Sequence, residues 1–193
     1  MSATNNVETA AAKSVEKDFV PALQSFPTLK PALRIKTYFN QKFNCGDVYS
    51  GSTLVAVPFS GGVLESVGDF EPKLKLAVNS GTDWFRIDAD KTRGRISVKA
   101  IAIDDEGRSI SLGLEGITVI NEATMPLILG APDAQTPPFG YGIQHLKIEA
   151  GHEQYKPLEG MLFATSLRFT KEEGDLTGVE IRASRILPGS GMK

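Results

Sequence analysis

The sequence predicts a mainly β protein: an antiparallel β-barrel or sandwich of about nine or ten strands with a short N-terminal helix or arm. Three observations predict it. From Ala32 onward, apolar residues recur at every second position. Short turn-forming segments separate these runs, as in a meander of antiparallel strands. The chain also holds 19 glycines, which suit strands that bend or bulge.

The predicted organisation has three parts: an arm and connector over 1–28, the barrel domain over 29–187 and a flexible tail over 188–193. Residues 7–13 are rich in helix-forming residues, so the arm is either a short helix or disordered. Three prolines then interrupt the chain before the alternating pattern begins, because each removes a backbone donor.

Ten alternating runs are the expected strands: 32–39, 47–58, 62–67, 72–79, 84–89, 95–103, 108–119, 141–149, 160–169 and 177–187. The acidic segment 104–107 is predicted to be a hairpin turn, and 79–83 a second turn. Residues 121–140 hold four prolines and form the longest irregular stretch. Long loops of this kind often bind ligands or act as lids.

Composition excludes several classes of function. The net charge is -2 and no basic cluster is present, so no nucleic-acid partner is expected. A membrane partner is not expected either, because no apolar run is long enough to span a bilayer. Cys45 is the only cysteine, and His145 and His152 lack metal-ligand spacing. We therefore expect a cytoplasmic protein without a metal site.

An acid, an aromatic and a base stand close together at Asp83, Trp84 and Arg86. A pocket against the Trp84 indole would raise the pKa of Asp83 by desolvation, which a general acid needs. The alternative is that Asp83 is a turn residue bonded to its own backbone. Trp84 is either a stacking surface for an aromatic substrate or a core residue.

Three further polar residues are candidates for catalysis. Lys99 shares a strand face with Ile101 and Ile103, so it is either a charge inside a pocket or an extended surface residue. His152 can transfer protons, and Tyr155 can donate a hydrogen bond to a substrate oxygen. The alternative for His152 and Tyr155 is a packing role in a loop at the barrel rim.

Several segments together resemble the domain-of-unknown-function family 3237, over roughly 33–187. They are the glycine pair in 58–62, the Gly-x-Asp-Trp stretch at 81–84, the acidic hairpin at 104–107 and the segments 148–163 and 178–182. The resemblance implies a compact barrel that often self-associates. It also implies a place in fungal-type secondary metabolism, where a relative adds a phenol oxygen across an alkene of a prenylated polyketide. This chain departs from many relatives at Lys99 and Ala100, where they have Arg and Tyr.

The expected function is therefore a cyclase or isomerase that needs no cofactor and closes a ring in a hydrophobic, oxygenated substrate. The alternatives are a barrel that binds a small molecule without catalysis, and a structural module that assembles into oligomers. The expected catalytic residues are Asp83, Lys99, Tyr155 and His152. The expected substrate-binding residues are Trp84, Arg86, Tyr49, Phe59 and Phe163. A homo-oligomer is the expected assembly.

Overall fold

The computed structural model describes residues 25–173 and 176–189, which form nine β-strands and almost no helix. The strands are β1 Thr28–Phe39, β2 Phe43–Asp47, β3 Thr53–Ser66, β4 Lys75–Ile87, β5 Arg93–Ile103, β6 Ser109–Val119, β7 Gly142–Glu149, β8 Phe163–Lys171 and β9 Thr177–Leu187. A short helix, α1, spans Met125–Leu129, and a 3-10 helix spans Lys156–Gly160. The predicted helix over 7–13 and the turn at 174–175 lie outside the described residues.

Eight of these strands form a closed barrel. Their order is β1-β9-β8-β7-β6-β5-β4-β3, and β1 also pairs antiparallel with β3, which closes the ring. The ninth strand, β2, pairs with the first part of β3. The predicted antiparallel barrel is therefore confirmed. The barrel unit spans Leu29–Ile186, and a second unit contains the chain ends, of which 25–28 and 187–189 are described.

The barrel interior is the hydrophobic core. On β5 and β7, residues alternate between buried and exposed along the whole strand, as the sequence pattern predicts. Ile96, Val98, Ala100 and Ala102 face inward on β5. Burial of the larger side chains, Ile96 and Val98, stabilises the fold by roughly 1.5–3 kcal/mol each, and burial of the two alanines by less. Because β1 pairs with β3 and closes the barrel, the inward-facing side chains of neighbouring strands are in contact all around the barrel.

The acidic hairpin between β5 and β6 forms as predicted. The amide of Gly107 donates to the carbonyl of Asp104, and Gly107 has a φ of 81°. That left-handed conformation suits glycine, because a residue without a Cβ adopts it without a clash. The Asp104 carboxylate accepts from the amides of Glu106 and Arg108, so the same residue stabilises both sides of the turn.

Two pairs of expected strands are in fact continuous strands with irregularities. Residues 47–58 and 62–67 lie largely in β3, which bends at Gly61 and Gly62. A Cβ on Gly62 would collide with the carbonyl oxygen of Lys36 on β1, so glycine permits this close approach. Residues 72–79 and 84–89 lie largely in β4, and the expected turn at 79–83 is wrong. There the register against β5 shifts between Val78 and Ser80, which is a β-bulge.

Candidate functional site

Asp83 projects into the barrel from the middle of β4. Its neighbours in the sheet are Val57 on β3 and Val98 on β5. Burial among these apolar groups raises the pKa of Asp83 from 3.8 to about 6, although a hydrogen bond from the Ser97 amide to Oδ1, at 2.8 Å, opposes the rise. Desolvation dominates because a carboxylate loses more hydration than one amide donor replaces. The structure therefore keeps an acid that titrates near neutral pH inside a hydrophobic barrel.

A small cavity lies inside the barrel next to Asp83. Its volume is about 50 Å³, and aliphatic and aromatic side chains from seven of the eight barrel strands make up most of its wall. The polar residues in that wall are Asp83, Thr37 and Gln144. Since one water needs about 10–15 Å³ by this measure, the cavity takes a few waters or one small substituent.

A larger groove lies at the barrel mouth and shares Asp83 with the cavity. Its volume is about 400 Å³, within the range of small-molecule sites. Phe39 and Phe169 also border both spaces, and their ring centroids are 6.3 Å apart with a tilt of 57°. Asp83 therefore lies between a space for a small group and a space for a larger apolar body.

Helix α1 covers part of this mouth. Ile128 and Leu129 line the groove, and the helix ends at Gly130, which has a φ of 75°. The Lys42 ammonium donates to the carbonyls of Leu127 and Ile128, at 3.1 and 2.8 Å. Desolvation lowers the pKa of Lys42. Part of the expected binding loop at 121–140 thus lies over the groove, held at its C-terminal carbonyls by a lysine.

Replacing Lys42 with methionine should loosen α1 without unfolding the barrel. Loss of two hydrogen bonds from a charged donor should speed hydrogen exchange at the Ile128 amide about tenfold, because such bonds contribute roughly 1.5–3 kcal/mol. Hydrogen exchange read by NMR measures this. Lys156→Met is the control, since Lys156 makes an exposed ion pair with Glu153 at 2.7 Å. Equal exchange rates in wild type and Lys42→Met would show that Lys42 does not hold the helix.

Of the nine residues expected at the site, two border the cavity: Asp83 and Phe59. Trp84 and Arg86 follow Asp83 on the opposite, outer face of β4, and Trp84 is 48% exposed. Neighbours on a strand point to opposite faces, so the indole does not surround the Asp83 carboxyl. This placement corrects the expected cause of the raised pKa, which is desolvation inside the barrel and not a pocket formed by the Trp84 indole.

Lys99 lies on the outer face of β5. It is exposed and pairs with Gly113 of β6, where an added Cβ would lie 3.2 Å from its Nζ. The Lys99 ammonium therefore lies over the neighbouring Gly113 on the outside of the barrel. The alternative in which Lys99 is a charge inside the pocket does not fit this placement.

Tyr155, His152 and Phe163 also lie apart from Asp83. Tyr155 is buried, and its hydroxyl donates to Asp104 Oδ2 at 2.6 Å in the hairpin that follows β5. Asp83 pairs with Val98, six residues before Asp104, or about 20 Å along the strand. His152 is exposed in the loop before Tyr155, and Phe163 is 1% exposed in the core. The structure thus does not bring the four expected catalytic residues together.

The Tyr155 hydroxyl joins an ionic cluster that supports the hairpin. Arg108 Nε donates to the same carboxylate oxygen at 2.7 Å, and its guanidinium lies 5.8 Å from the Tyr155 ring centroid. The hydrogen bond from Tyr155 holds the pKa of Asp104 far below its usual range. Burial and the same hydrogen bond raise the pKa of Tyr155. The contacts of Tyr155 are those of a structural residue.

Tyr155→Phe should destabilise the protein and leave ligand affinity at the groove unchanged. The lost hydrogen bond to a carboxylate should lower Tm by about 4 °C, while the ring keeps its packing. Calorimetry and a ligand titration on the same sample check both statements. A loss of ligand affinity at unchanged Tm would instead indicate that Tyr155 contacts the substrate.

Tyr49 is fully exposed in the turn between β2 and β3 and lines neither space. Among the residues that line these spaces but were not expected are Phe39, Lys42, Gln144 and Phe169. Phe39 and Phe169 lie in the alternating runs 32–39 and 160–169, so the alternation predicts that both side chains face the core. No sequence signal marks Lys42, which lies in a short loop, or Gln144, whose neighbours alternate as in any half-buried strand.

Within 25–173 and 176–189, no group of three or more His, Cys, Asp and Glu residues is arranged to hold a metal ion. The same part of the chain has no helix that is both long and apolar enough to cross a membrane.

The fold and site define a closed eight-stranded barrel with a half-buried acid where an apolar groove meets the interior cavity. The chain belongs to the family described as Protein of unknown function (DUF3237), whose model matches residues 27–186. This confirms the resemblance noted in the sequence. No curated protein matches the chain.

Several solved structures share the fold. A conserved protein of unknown function from Rhodopseudomonas palustris is 19% identical with a TM-score of 0.67, covering 84% of this chain and 99% of that one. A β-barrel-like protein from Acinetobacter baumannii is 19% identical with a TM-score of 0.61, covering 88% and 99%. An enzyme from Penicillium herquei is 14% identical with a TM-score of 0.51, covering 84% and 99%. At these identities the similarity shows the fold alone.

Proposed function

We propose that this protein is a cofactor-independent cyclase or isomerase that closes a ring in a hydrophobic, oxygenated small molecule. One observation carries the proposal: Asp83, with a pKa of about 6, borders both the interior cavity and the apolar groove. With that pKa the carboxyl is half protonated at about pH 6, and its protonated form can give the proton to a carbon or oxygen of a bound substrate. The apolar walls exclude water, which would compete for the same proton.

The proposed reaction is an intramolecular addition of a hydroxyl across an alkene. The Asp83 carboxyl donates its proton to one alkene carbon, and the electron pair of the double bond forms the new C–H bond. The substrate hydroxyl oxygen then bonds to the other carbon. The hydroxyl proton passes to the Asp83 carboxylate, directly or through one water. Atoms and electrons balance within the substrate, so the product is an isomer and the acid is regenerated.

The groove fits the apolar part of such a substrate. Phe39 and Phe169 can contact a ring or a prenyl chain, and Ile128 of α1 adds an aliphatic surface. Lys42 is the other titratable residue of the groove, but its protons are bonded to the carbonyls of α1. We therefore assign the proton transfer to Asp83 and the positioning of the helix to Lys42.

The comparisons support the proposal only at the level of the fold. The structure from Penicillium herquei is described as an enzyme, so a barrel of this fold serves catalysis in that protein. The family resemblance implies chemistry of the proposed kind. A cytoplasmic location and self-association stay predictions.

The test is an assay with purified protein and no added cofactor. Prenylated phenols and related polyketides are incubated with the protein, and the products are separated by chromatography with mass detection. A product of unchanged mass and new retention, absent with Asp83→Asn, supports the proposal. Equal turnover by wild type and Asp83→Asn on a converted substrate would remove Asp83 from its assigned role.

A second candidate is a barrel that binds a small molecule without changing it. The observation in its favour is that, among the described residues, Asp83 is the one titratable residue in the cavity wall. Incubation distinguishes the two candidates, because a carrier returns every bound compound unchanged. Retention of a compound through gel filtration, with no isomer formed, would favour the carrier.

A further inference from the structure

The interior cavity has one polar group that the proposed chemistry does not use. Of its three polar residues, Asp83 is the assigned acid, and the Thr37 hydroxyl donates to the carbonyl of Gly61 at 2.9 Å. Gln144 remains, on β7, with the side chain 7% exposed overall. A buried primary amide in an aliphatic wall is costly unless its donors and acceptor find partners.

The surrounding residues hold the Gln144 amide in one position. Its Oε1 accepts a hydrogen bond from the Thr165 hydroxyl on β8 at 3.1 Å. Gly116, its neighbour on β6, leaves room for the side chain, because a Cβ there would lie 2.6 Å from Gln144 Cγ. In the described part of the chain, no residue accepts a hydrogen bond from Gln144 Nε2, and this nitrogen is not among the fully enclosed side-chain atoms that lack a partner, so a small molecule can reach it. Since Thr165 occupies the oxygen, the two N–H donors remain available to a molecule in the cavity.

Size and charge restrict what these donors can bind. The cavity of about 50 Å³ takes one small substituent but not a ring system. No cationic residue lines it, and its one acid becomes negative as the pH rises through about 6. A carboxylate or phosphate would therefore be repelled, whereas a neutral carbonyl oxygen accepts from an amide N–H without that cost.

We infer that the substrate carries a small neutral carbonyl group, such as a methyl ketone or aldehyde, which enters the cavity and accepts a hydrogen bond from Gln144. The apolar body of the substrate then lies in the groove between Phe39 and Phe169. This inference deepens the proposed function and rests on the same pocket. It makes Gln144 a specificity residue that places the carbon atoms next to the carbonyl beside Asp83.

The test uses side chains of similar length on one phenyl ring. The probes are 4-phenylbutan-2-one, butylbenzene, which replaces the carbonyl with a methylene, and 3-phenylpropanoate, which replaces the methyl with a charged oxygen. Dissociation constants come from NMR titrations of wild type and Gln144→Met, a variant of similar size without N–H donors. His145→Gln is the matched control, because His145 is the next residue on β7 and is exposed on the outer face.

The expected result is a change, in Gln144→Met, of the preference for the ketone, which is the dissociation constant of butylbenzene divided by that of the ketone. That preference should fall about fivefold in Gln144→Met and stay constant in His145→Gln, because one hydrogen bond of about 1 kcal/mol is lost. The ketone should also shift the side-chain amide signal of Gln144, and 3-phenylpropanoate should bind more weakly than the ketone at pH 8. An unchanged preference in Gln144→Met, with the ketone still bound, would overturn the inference.

These measurements need no turnover. If the ketone preference depends on Gln144 and no substrate is converted, the inference stands and the carrier function replaces the cyclase. If substrates are converted and the preference does not depend on Gln144, the cyclase stands and the inference fails. A Gln144→Met variant that does not fold is replaced by Thr165→Val, which releases the amide and should reduce the same preference.

Discussion

Replacing Asp83 with asparagine should lower the catalysed rate by about 10²–10⁴-fold, the usual contribution of a general acid. Asparagine keeps the shape of the protonated acid, and its side-chain oxygen can accept the hydrogen bond from the Ser97 amide. The change therefore removes the acidic proton and little else. In wild type, kcat should fall tenfold per pH unit above about pH 6, because the carboxyl then loses the proton that it must donate. A pH profile of kcat for both proteins measures this.

The same variant should be more stable than wild type at pH 8. The folded protein raises the pKa of Asp83 from 3.8 to about 6, so unfolded chains ionise first as the pH rises. The free energy of unfolding is therefore highest below pH 3.8, the pKa of this group in the unfolded chain. It decreases as the pH rises from 3.8 to about 6, by about 3 kcal/mol in total. Asparagine does not ionise, so its advantage should be near zero at pH 3 and about 1–3 kcal/mol at pH 8. Urea unfolding at both pH values checks the sign.

Asp88→Asn is the control for both measurements. Asp88 lies just beyond the end of the same strand, is paired with Arg95 at 2.7 Å, and lines neither the cavity nor the groove. It should keep full activity and gain no stability at pH 8. If Asp83→Asn loses stability at pH 8, the acid is ionised and stabilised in the barrel, and it cannot be the proton donor.

The strands that alternate regularly were predictable because one buried face imposes a period of two. The expected runs 95–103 and 108–119 differ from β5 and β6 by at most two residues at either end. The hairpin at Asp104 was predictable for a similar local reason, since a short acidic segment ending in glycine suits a turn. Barrel closure was only implied, because it needs β1 to pair with β9, which joins residues at opposite ends of the barrel sequence.

The direction of Asp83 could not be predicted from the alternation alone. Counting by twos from the buried residues Leu76 and Val78 places Trp84 inside and Asp83 outside. The β-bulge between Val78 and Ser80 adds one residue and reverses that order. Asn79, Ser80 and Gly81 look like a turn in the sequence, yet the residues on either side continue one strand. A single unpaired residue therefore decides which of two neighbours reaches the cavity.

The groove was unpredictable for another reason. Its walls combine residues of five strands, namely β1, β2, β3, β4 and β8, with the loop residue Lys42 and the short helix α1. Each contributes one to three side chains that look ordinary in their own segment. Only the closed barrel brings Phe39 and Phe169 together, and only the bonds from Lys42 to two helix carbonyls place Ile128 over the mouth.

Phe163→Ala should destabilise the protein by about 3–5 kcal/mol, the usual effect of removing a buried phenylalanine. Phe163 is 1% exposed and meets the Phe70 ring nearly edge-on, with centroids 6.0 Å apart. It was expected to bind substrate, but it lines neither the cavity nor the groove. Its contacts indicate that it fills the core away from the mouth. Urea unfolding measures the loss.

Two comparison variants separate the core from the site. Phe163→Leu should recover most of the stability, because leucine refills much of the space, and ligand affinity should match wild type. Phe39→Ala should behave in the opposite way, since Phe39 is only partly buried and borders the groove. It should weaken ligand binding more than it lowers the free energy of unfolding. If Phe163→Leu loses affinity while its unfolding is unchanged, Phe163 contacts the ligand, and the groove extends further into the barrel than its present walls allow.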